Sequence, residues 1–88
     1  EISFYVGDSR YRGKGLASQA LELLHAWGFE ELGLERIWAE CYDFNVPGLK
    51  LLGSLGYVEE GRLRKHVFRE GKRADSVMLG LLREEWRA

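Results

Sequence analysis

The chain has 88 residues, and its 45% hydrophobic content predicts a single globular domain rather than a disordered segment. Its 13 basic and 14 acidic residues give a formal net charge of −1, so neither nucleic-acid binding nor adhesion to a membrane surface is expected. Cys41 is the single cysteine, which excludes an internal disulfide and indicates a reducing, cytoplasmic compartment. No apolar run reaches the length of a membrane span, so no membrane segment is expected.

The first half of the chain predicts a strand followed by a long helix. Residues 2–6 form an apolar run that is typical of a β-strand. Apolar side chains then recur at spacings of three and four residues, which predicts a helix over residues 16–32 with one buried stripe. The stripe consists of Leu16, Ala20, Leu23, Leu24 and Trp27. Gly33 is expected to end this helix.

The second half predicts a strand, a short helix and a hairpin. Residues 36–42 form the second strand, and Pro47 favours a helix start with Asn45 or Val46 as its cap. Gly56 lies where a left-handed residue commonly follows a helix. Residues 64–68 and 74–82 predict a hairpin, with Glu70-Gly71-Lys72 as its turn. The resulting order, β-α-β-α-β-β, predicts an α/β fold whose first two strands are parallel and joined by a right-handed crossover.

A loop that reads Arg-Tyr-Arg-Gly-Lys-Gly joins the first strand to the first helix. Gly13 and Gly15 allow the backbone to approach a ligand without an intervening Cβ. The N–H groups at a helix start have no intrahelical partner and lie at the positive end of the helix dipole. Because such a loop is suited to phosphate, and because Arg10, Arg12 and Lys14 add cations, we expect a phosphate site here.

The pattern Arg-x-x-Gly-x-Gly between a strand and a helix resembles the acyl-CoA pyrophosphate loop of the GNAT family of N-acetyltransferases. Asn45 at the second helix, the Leu55-Gly56-Tyr57 segment after it, and the hairpin around Glu70-Gly71-Lys72 continue the resemblance over nearly all 88 residues. The branch that the chain resembles includes the ribosomal-protein N-terminal acetyltransferases and many small-molecule acetyltransferases.

The resemblance implies a partial GNAT fold, in which a mixed sheet has the order 1-2-4-3, and it implies acetyl-CoA as co-substrate without a metal. In the family the first strand binds pantetheine through its backbone, and one of its N–H groups faces the thioester oxygen. The two parallel strands diverge around the pantetheine, and Asn45 would hold this arm or the turn beside it. The implied cofactor-binding residues are Phe4, Tyr5, Val6, Arg10, Tyr11, Arg12, Gly13, Lys14, Gly15, Leu16, Ala17 and Asn45.

The implied reaction transfers an acetyl group to a primary amine, which belongs either to a protein N-terminus or to a small molecule. The amine must lose a proton to a base before it attacks. Glu40 is the candidate catalytic base, because some protein N-terminal acetyltransferases of the family have a catalytic glutamate five residues before the asparagine. The alternative is an ordinary surface glutamate. The alternative role of Asn45 is that of a plain N-cap of the second helix, and this role is compatible with cofactor binding.

Two positions depart from the family pattern and leave the general acid unassigned. Leu52 stands where many members have a tyrosine that protonates the departing thiolate, and Gly48 stands where the branch often has serine. Tyr57 could act instead, but its aromatic ring is expected to lie in the core. Cys41 is expected to be a small buried hydrophobe rather than a nucleophile.

Other candidate sites in the sequence favour structural roles. His25 and His66 lack the carboxylate or cysteine spacing of a metal site. Trp38 and Trp86 are expected to be packing residues. A series of basic residues around the hairpin could attract an acidic acceptor or the 3′-phosphate of CoA, although a solvated face is the ordinary role of such a series. These residues are Arg62, Arg64, Lys65, His66, Arg69, Lys72 and Arg73.

The resemblance covers only about the C-terminal half of a GNAT domain, because the strands and helices that normally precede the first strand are absent. We therefore expect a fragment, or a short form completed by a partner. A bare first strand favours a homodimer or strand exchange. A non-catalytic acyl-CoA-binding or scaffold module is the alternative function. A generic nucleotide-binding βαβ unit is disfavoured for two reasons. Ser18 replaces the third glycine of Gly-x-Gly-x-x-Gly, and Leu16 follows Gly15, so the loop lacks the Gly-Lys-Ser/Thr ending of a P-loop.

Overall fold

A computed structural model describes residues 2–5 and 14–87 of the chain. The strands are β1 (Ile2–Tyr5), β2 (Arg36–Tyr42), β3 (Val58–Arg69) and β4 (Lys72–Leu82). The helices are α1 (Lys14–Ala26), which continues into a π-helical turn (Trp27–Glu31), α2 (Val46–Ser54) and α3 (Arg83–Arg87). No helix in the described ranges is long and apolar enough to cross a membrane.

The strands form one mixed sheet with the order β1-β2-β4-β3. β1 runs parallel to β2, whereas β4 runs antiparallel to both β2 and β3. Parallel pairing of two strands with an intervening helix is the βαβ unit expected from the sequence. This arrangement confirms the expected α/β fold class, and β2 has the predicted bounds.

The apolar core lies on the face of the sheet that α1 and α2 cover. Alternate residues of β2 point into it, namely Ile37, Ala39 and Cys41, and all three are fully buried. Leu52 of α2 is buried there as well. The remaining members of the cluster are Phe29, Tyr57, Val77, Leu79 and Leu81. Trp86 of α3 stacks on Phe29 with ring centroids 5.2 Å apart, which confirms its expected packing role.

The predicted buried stripe of the first helix is wrong in phase. Leu23 and Trp27, which the periodicity placed inside, are 72% and 50% exposed. The helix and its π-helical turn instead bury His25, Gly28 and Phe29. Apolar periodicity missed this face because His25 counts as polar and Gly28 has no side chain. A Cβ on Gly28 would approach within 3.1 Å of Ile37 Cδ1, so the glycine allows the helix to lie close to β2.

Local capping sets the ends of both long helices as the sequence predicted. Asn45 caps α2, because its Oδ1 accepts a hydrogen bond from Gly48 N at 3.1 Å. Pro47 lies in the first turn of this helix, and Gly56 follows its end with a φ of +98°. The π-helical turn after α1 is closed by a hydrogen bond from Leu32 N to Trp27 O, and Gly33 ends it with a φ of +68°.

The hairpin is longer than the sequence indicated. Its turn is at Glu70 and Gly71 as expected, but β3 begins at Val58 rather than at residue 64. The pairing of β3 with β4 is interrupted between Glu59 and Gly61 and again between Leu63 and Val67. These irregularities break the alternation of apolar and polar residues on which the strand prediction relied.

A buried polar pair links α1 to the segment after α2. His25 is only 1% exposed, and its Nε2 lies 2.7 Å from the hydroxyl of Tyr57. Burial lowers the pKa of His25, and the carboxylate of Glu22 opposes this effect in part. Burial also raises the pKa of Tyr57. Both groups are therefore neutral at pH 7, and their hydrogen bond satisfies them inside the core.

We expect the free energy of unfolding to fall as the pH drops below about 6.5, the ordinary pKa of histidine. The unfolded chain then takes up a proton that buried His25 does not, whereas above this pH the stabilising contribution is fully present. The slope for one such group is at most about 1.4 kcal/mol per pH unit. Urea unfolding of the wild type and of His25→Gln between pH 8 and pH 5 measures it. An equally steep decline in the variant would contradict this assignment.

Candidate active site

The candidate site lies where the parallel strands β1 and β2 end on the same side of the sheet. The described register of the pair ends with Phe4 opposite Ala39 and Tyr5 opposite Glu40. The predicted backbone-binding strand and the predicted base are therefore nearest neighbours on adjacent strands. Sequence reasoning proposed Phe4, Tyr5 and Glu40 separately, and the fold brings them together.

The structure describes only part of the predicted glycine loop. Val6, Arg10, Tyr11, Arg12 and Gly13 lie outside the described residues. The four other predicted loop residues form the first turn of α1, which begins earlier than the sequence indicated; they are Lys14, Gly15, Leu16 and Ala17. Because the first four N–H groups of a helix have no intrahelical acceptor, this turn presents backbone donors directly after the glycine loop.

Glu40 is half-buried on the face of the sheet opposite the apolar core. It alternates along β2 with the buried residues, so its side chain shares a face with Trp38 and Tyr42. Its Oε2 accepts a hydrogen bond from the hydroxyl of Ser76 on β4. Sequence analysis missed Ser76. The available signal was weak: Ser76 is a polar residue that directly precedes the apolar run at the centre of β4.

Asn45 is 6% exposed and has a structural role that the hydrogen bonds define. Its side chain turns towards α2 as an N-cap, and its backbone oxygen accepts from Leu49 N at 3.0 Å. This geometry also explains the glycine at position 48. A Cβ there would lie 2.7 Å from Asn45 Nδ2 and 3.0 Å from Cys41 Sγ, so the serine common in the branch would not fit this arrangement.

Two residues considered as reactive groups are structural. Cys41 is fully buried, and burial raises the pKa of its thiol to about 11, so the thiol stays protonated at neutral pH. Tyr57 belongs to the core and hydrogen bonds to His25, as expected for an aromatic residue at this position. In the described part of the chain, no group of three or more His, Cys, Asp or Glu side chains is placed to hold a metal ion.

Several charges around the hairpin are paired. Arg62 contacts Glu59 at 3.2 Å and Asp75 at 3.5 Å, and Arg73 lies 5.0 Å above the ring of Phe68. An open cavity of about 370 Å³ lies between the hairpin and the turn after β2. Its lining carries both signs of charge and comprises Asp43, Phe44, Glu70, Lys72, Arg73 and Ala74. This mixed lining does not define a single class of charged ligand.

The geometry defines an α/β protein with a candidate acid–base residue beside the end of a parallel strand pair. Comparison with known proteins assigns its family. The sequence model of the acetyltransferase (GNAT) domain matches residues 1–58. The chain is also 40% identical over 86 residues to the uncharacterized N-acetyltransferase p20 of Bacillus licheniformis, covering 98% of this chain and 48% of that protein.

Solved structures of acetyltransferases share the fold. The ribosomal-protein-S5-alanine acetyltransferase of Vibrio fischeri superposes with a TM-score of 0.74 at 31% identity, over 96% of this chain and 48% of that one. Mutant forms of the spermidine/spermine N-acetyltransferase SpeG of Vibrio cholerae give a TM-score of 0.80 at 25% identity, over 90% and 48% of the two chains. The present chain belongs to the GNAT family of acetyltransferases. It spans about half the length of these relatives.

Proposed function

We propose that the protein transfers the acetyl group of acetyl-CoA to a primary amine. The observation that carries this proposal is the register that puts Tyr5 beside Glu40. A strand whose backbone is suited to hold an extended thiol ester arm then lies next to a carboxylate that is suited to accept a proton. The family membership of the chain supports the same reaction class.

Glu40 is the proposed base. A primary amine is largely protonated at neutral pH and cannot attack a carbonyl until it loses a proton. The carboxylate of Glu40 accepts that proton directly or through one water molecule. Its half-buried position limits competing solvation, and the hydrogen bond from Ser76 occupies one of its two oxygens. The other oxygen is then the proposed proton acceptor.

The backbone of β1 and the loop after it are the proposed acetyl-CoA site. Negative charge develops on the thioester oxygen as the amine attacks, and a backbone N–H at Phe4, Tyr5 or Val6 would stabilise it. The N–H groups in the first turn of α1, which have no intrahelical acceptor, together with the loop at Arg10, Tyr11, Arg12 and Gly13, would bind the pyrophosphate. Asn45 would contact the pantetheine arm through its side-chain amide.

No side chain is assigned as the acid that protonates the departing thiolate. Leu52 is fully buried in the core, and Tyr57 is engaged with His25. A thiol has a pKa of about 8.5, so release as the unprotonated thiolate at pH 7 costs only about 2 kcal/mol. We therefore propose that water protonates the departing thiolate.

The proposed acceptor is the primary amine of a protein N-terminus or of a small molecule. Two relatives with solved structures are named for an alanine of ribosomal protein S5 and for the polyamines spermidine and spermine. A coupled assay of thiol release against an N-terminal alanine peptide and against spermidine distinguishes these classes. Binding of acetyl-CoA without turnover on either class, or on other primary amines, would favour a non-catalytic acyl-CoA-binding module instead.

Acetyl-CoA should raise the melting temperature of the protein, because a ligand that binds only the native state stabilises it. At a concentration about 100 times the dissociation constant, the gain in the free energy of unfolding is about 2.7 kcal/mol. Differential scanning fluorimetry with acetyl-CoA, and with NAD as a matched dinucleotide control, measures this effect. No shift with acetyl-CoA, or an equal shift with NAD, would count against the proposed cofactor.

We further propose a cytoplasmic homodimer. Among the described strands, β1 lies at the edge of the sheet, with β2 on its one paired side. The exposed N–H and C=O groups of an edge strand in general favour pairing with another chain. Light scattering after size-exclusion chromatography measures the mass in solution, and a strictly monomeric protein at high concentration would contradict the dimer.

A further inference from the structure

Ser76 holds a position that the proposed reaction can use. It lies on β4 directly opposite Tyr42 of β2 and directly opposite Leu63 of β3. These neighbours flank it on both sides, and Ser76 is fully buried. Glu40 is the register partner of Met78, two residues along β4, so the carboxylate reaches Ser76 diagonally across the strand pair.

The direction of the hydrogen bond follows from the chemistry of the two groups. An ionised carboxylate can only accept, so the Ser76 hydroxyl donates to Glu40 Oε2. A glutamate side chain has three rotatable bonds, and a single donor fixed in a strand removes much of this freedom. Because Ser76 is buried between its strand neighbours, its hydroxyl has less conformational freedom than that of a surface serine.

We infer that Ser76 is a positioning residue that orients the Glu40 carboxylate for proton transfer. This inference rests on the proposed role of Glu40 as the base. By engaging Oε2, Ser76 would leave Oε1 as the oxygen that accepts the proton of the amine. Proton transfer depends on the placement of the base within hydrogen-bonding reach of the proton, so a free carboxylate would spend much of its time in unproductive rotamers.

A merely structural role for Ser76 makes different predictions. In that case the hydroxyl is a buried group that needs an acceptor, and its removal would alter the stability of the protein. Any effect of its removal on turnover would then be the same with glutamate or with glutamine at position 40. If Ser76 acts through Glu40, its removal matters only while the carboxylate is present. A double-mutant cycle separates the two roles.

The experiment measures kcat and KM of the complete gene product for the wild type, Ser76→Ala, Glu40→Gln and the double variant. We expect Ser76→Ala to lower kcat by about 10-fold, the effect of one hydrogen bond to a charged group, without changing KM for acetyl-CoA. In the Glu40→Gln background the same change should have almost no effect. Ser76→Thr keeps the hydroxyl and should recover most of the activity, and melting temperatures verify that each variant folds.

The outcomes separate this inference from the proposed function. If Glu40→Gln lowers kcat but Ser76→Ala does not, Ser76 has no positioning role while the base assignment stands. Equal losses from Ser76→Ala in both backgrounds likewise overturn the positioning role. Full activity of Glu40→Gln overturns the base assignment and the positioning role together.

Discussion

Glu40→Gln should lower kcat by about 10²- to 10⁴-fold, the usual contribution of a general base. Glutamine keeps the shape of the side chain, and its amide oxygen can still accept the hydrogen bond from Ser76. It cannot take a proton from the amine at neutral pH. Affinity for acetyl-CoA should stay the same, because Glu40 is not among the proposed cofactor contacts. Steady-state kinetics with a reactive amine and direct titration of acetyl-CoA measure the two quantities.

Glu60→Gln is the matched control for this experiment. Glu60 carries the same functional group and lies against Gly80 of β4, where it forms an ion pair with Arg36. That ion pair is solvent-accessible, so its loss should change stability by at most about 1 kcal/mol and leave kcat unaltered. If Glu40→Gln and Glu60→Gln had equal activity, Glu40 would have no part in the reaction.

Gly13→Glu should abolish the stabilisation that acetyl-CoA confers. A Cβ at this position would obstruct the close approach of the backbone to phosphate, and the added carboxylate would repel it. The expected loss is the whole ligand-induced gain, about 2.7 kcal/mol at 100 times the dissociation constant. Gly13 lies outside the described residues, so this expectation depends on the sequence pattern alone. Thermal shifts with and without acetyl-CoA measure the effect.

Gly53→Glu provides the control for a glycine-to-glutamate change as such. Gly53 is exposed in α2, and a Cβ there would meet no heavy atom within 4 Å. The variant should fold and should keep the full thermal shift with acetyl-CoA. A Gly13→Glu protein that kept the shift as well would show that the cofactor binds elsewhere.

Local sequence signals were sufficient to predict those features of the structure that depend on residues close along the chain. Asn45 as a cap, Pro47 in a first turn and Gly56 after a helix end each depend on hydrogen bonds or dihedral angles within a few residues. Strand β2 was predicted with its bounds, and its residues alternate between buried and half-buried as the period of a strand requires. The order of the elements then restricted the first two strands to a parallel pair.

Burial of the first helix could not be predicted in the same way. The exposed side chains of Leu23 and Trp27 are more apolar than the buried His25 and Gly28, so hydrophobic periodicity selected the wrong face. His25 is acceptable inside because Tyr57, far away in sequence, supplies a hydrogen bond. Gly28 is favoured inside because a Cβ there would lie only 3.1 Å from Ile37 Cδ1. Both reasons involve residues of other elements.

The candidate site shows the same division. The sequence by itself determined the fold class, the glycine loop before a helix, and Glu40 as a carboxylate on the second strand. Only the tertiary structure decided that Tyr5 lies beside Glu40 and that Ser76 donates a hydrogen bond to it. The physical reason is that capping and periodicity act between residues close along the chain, whereas strand register joins residues that only folding brings together.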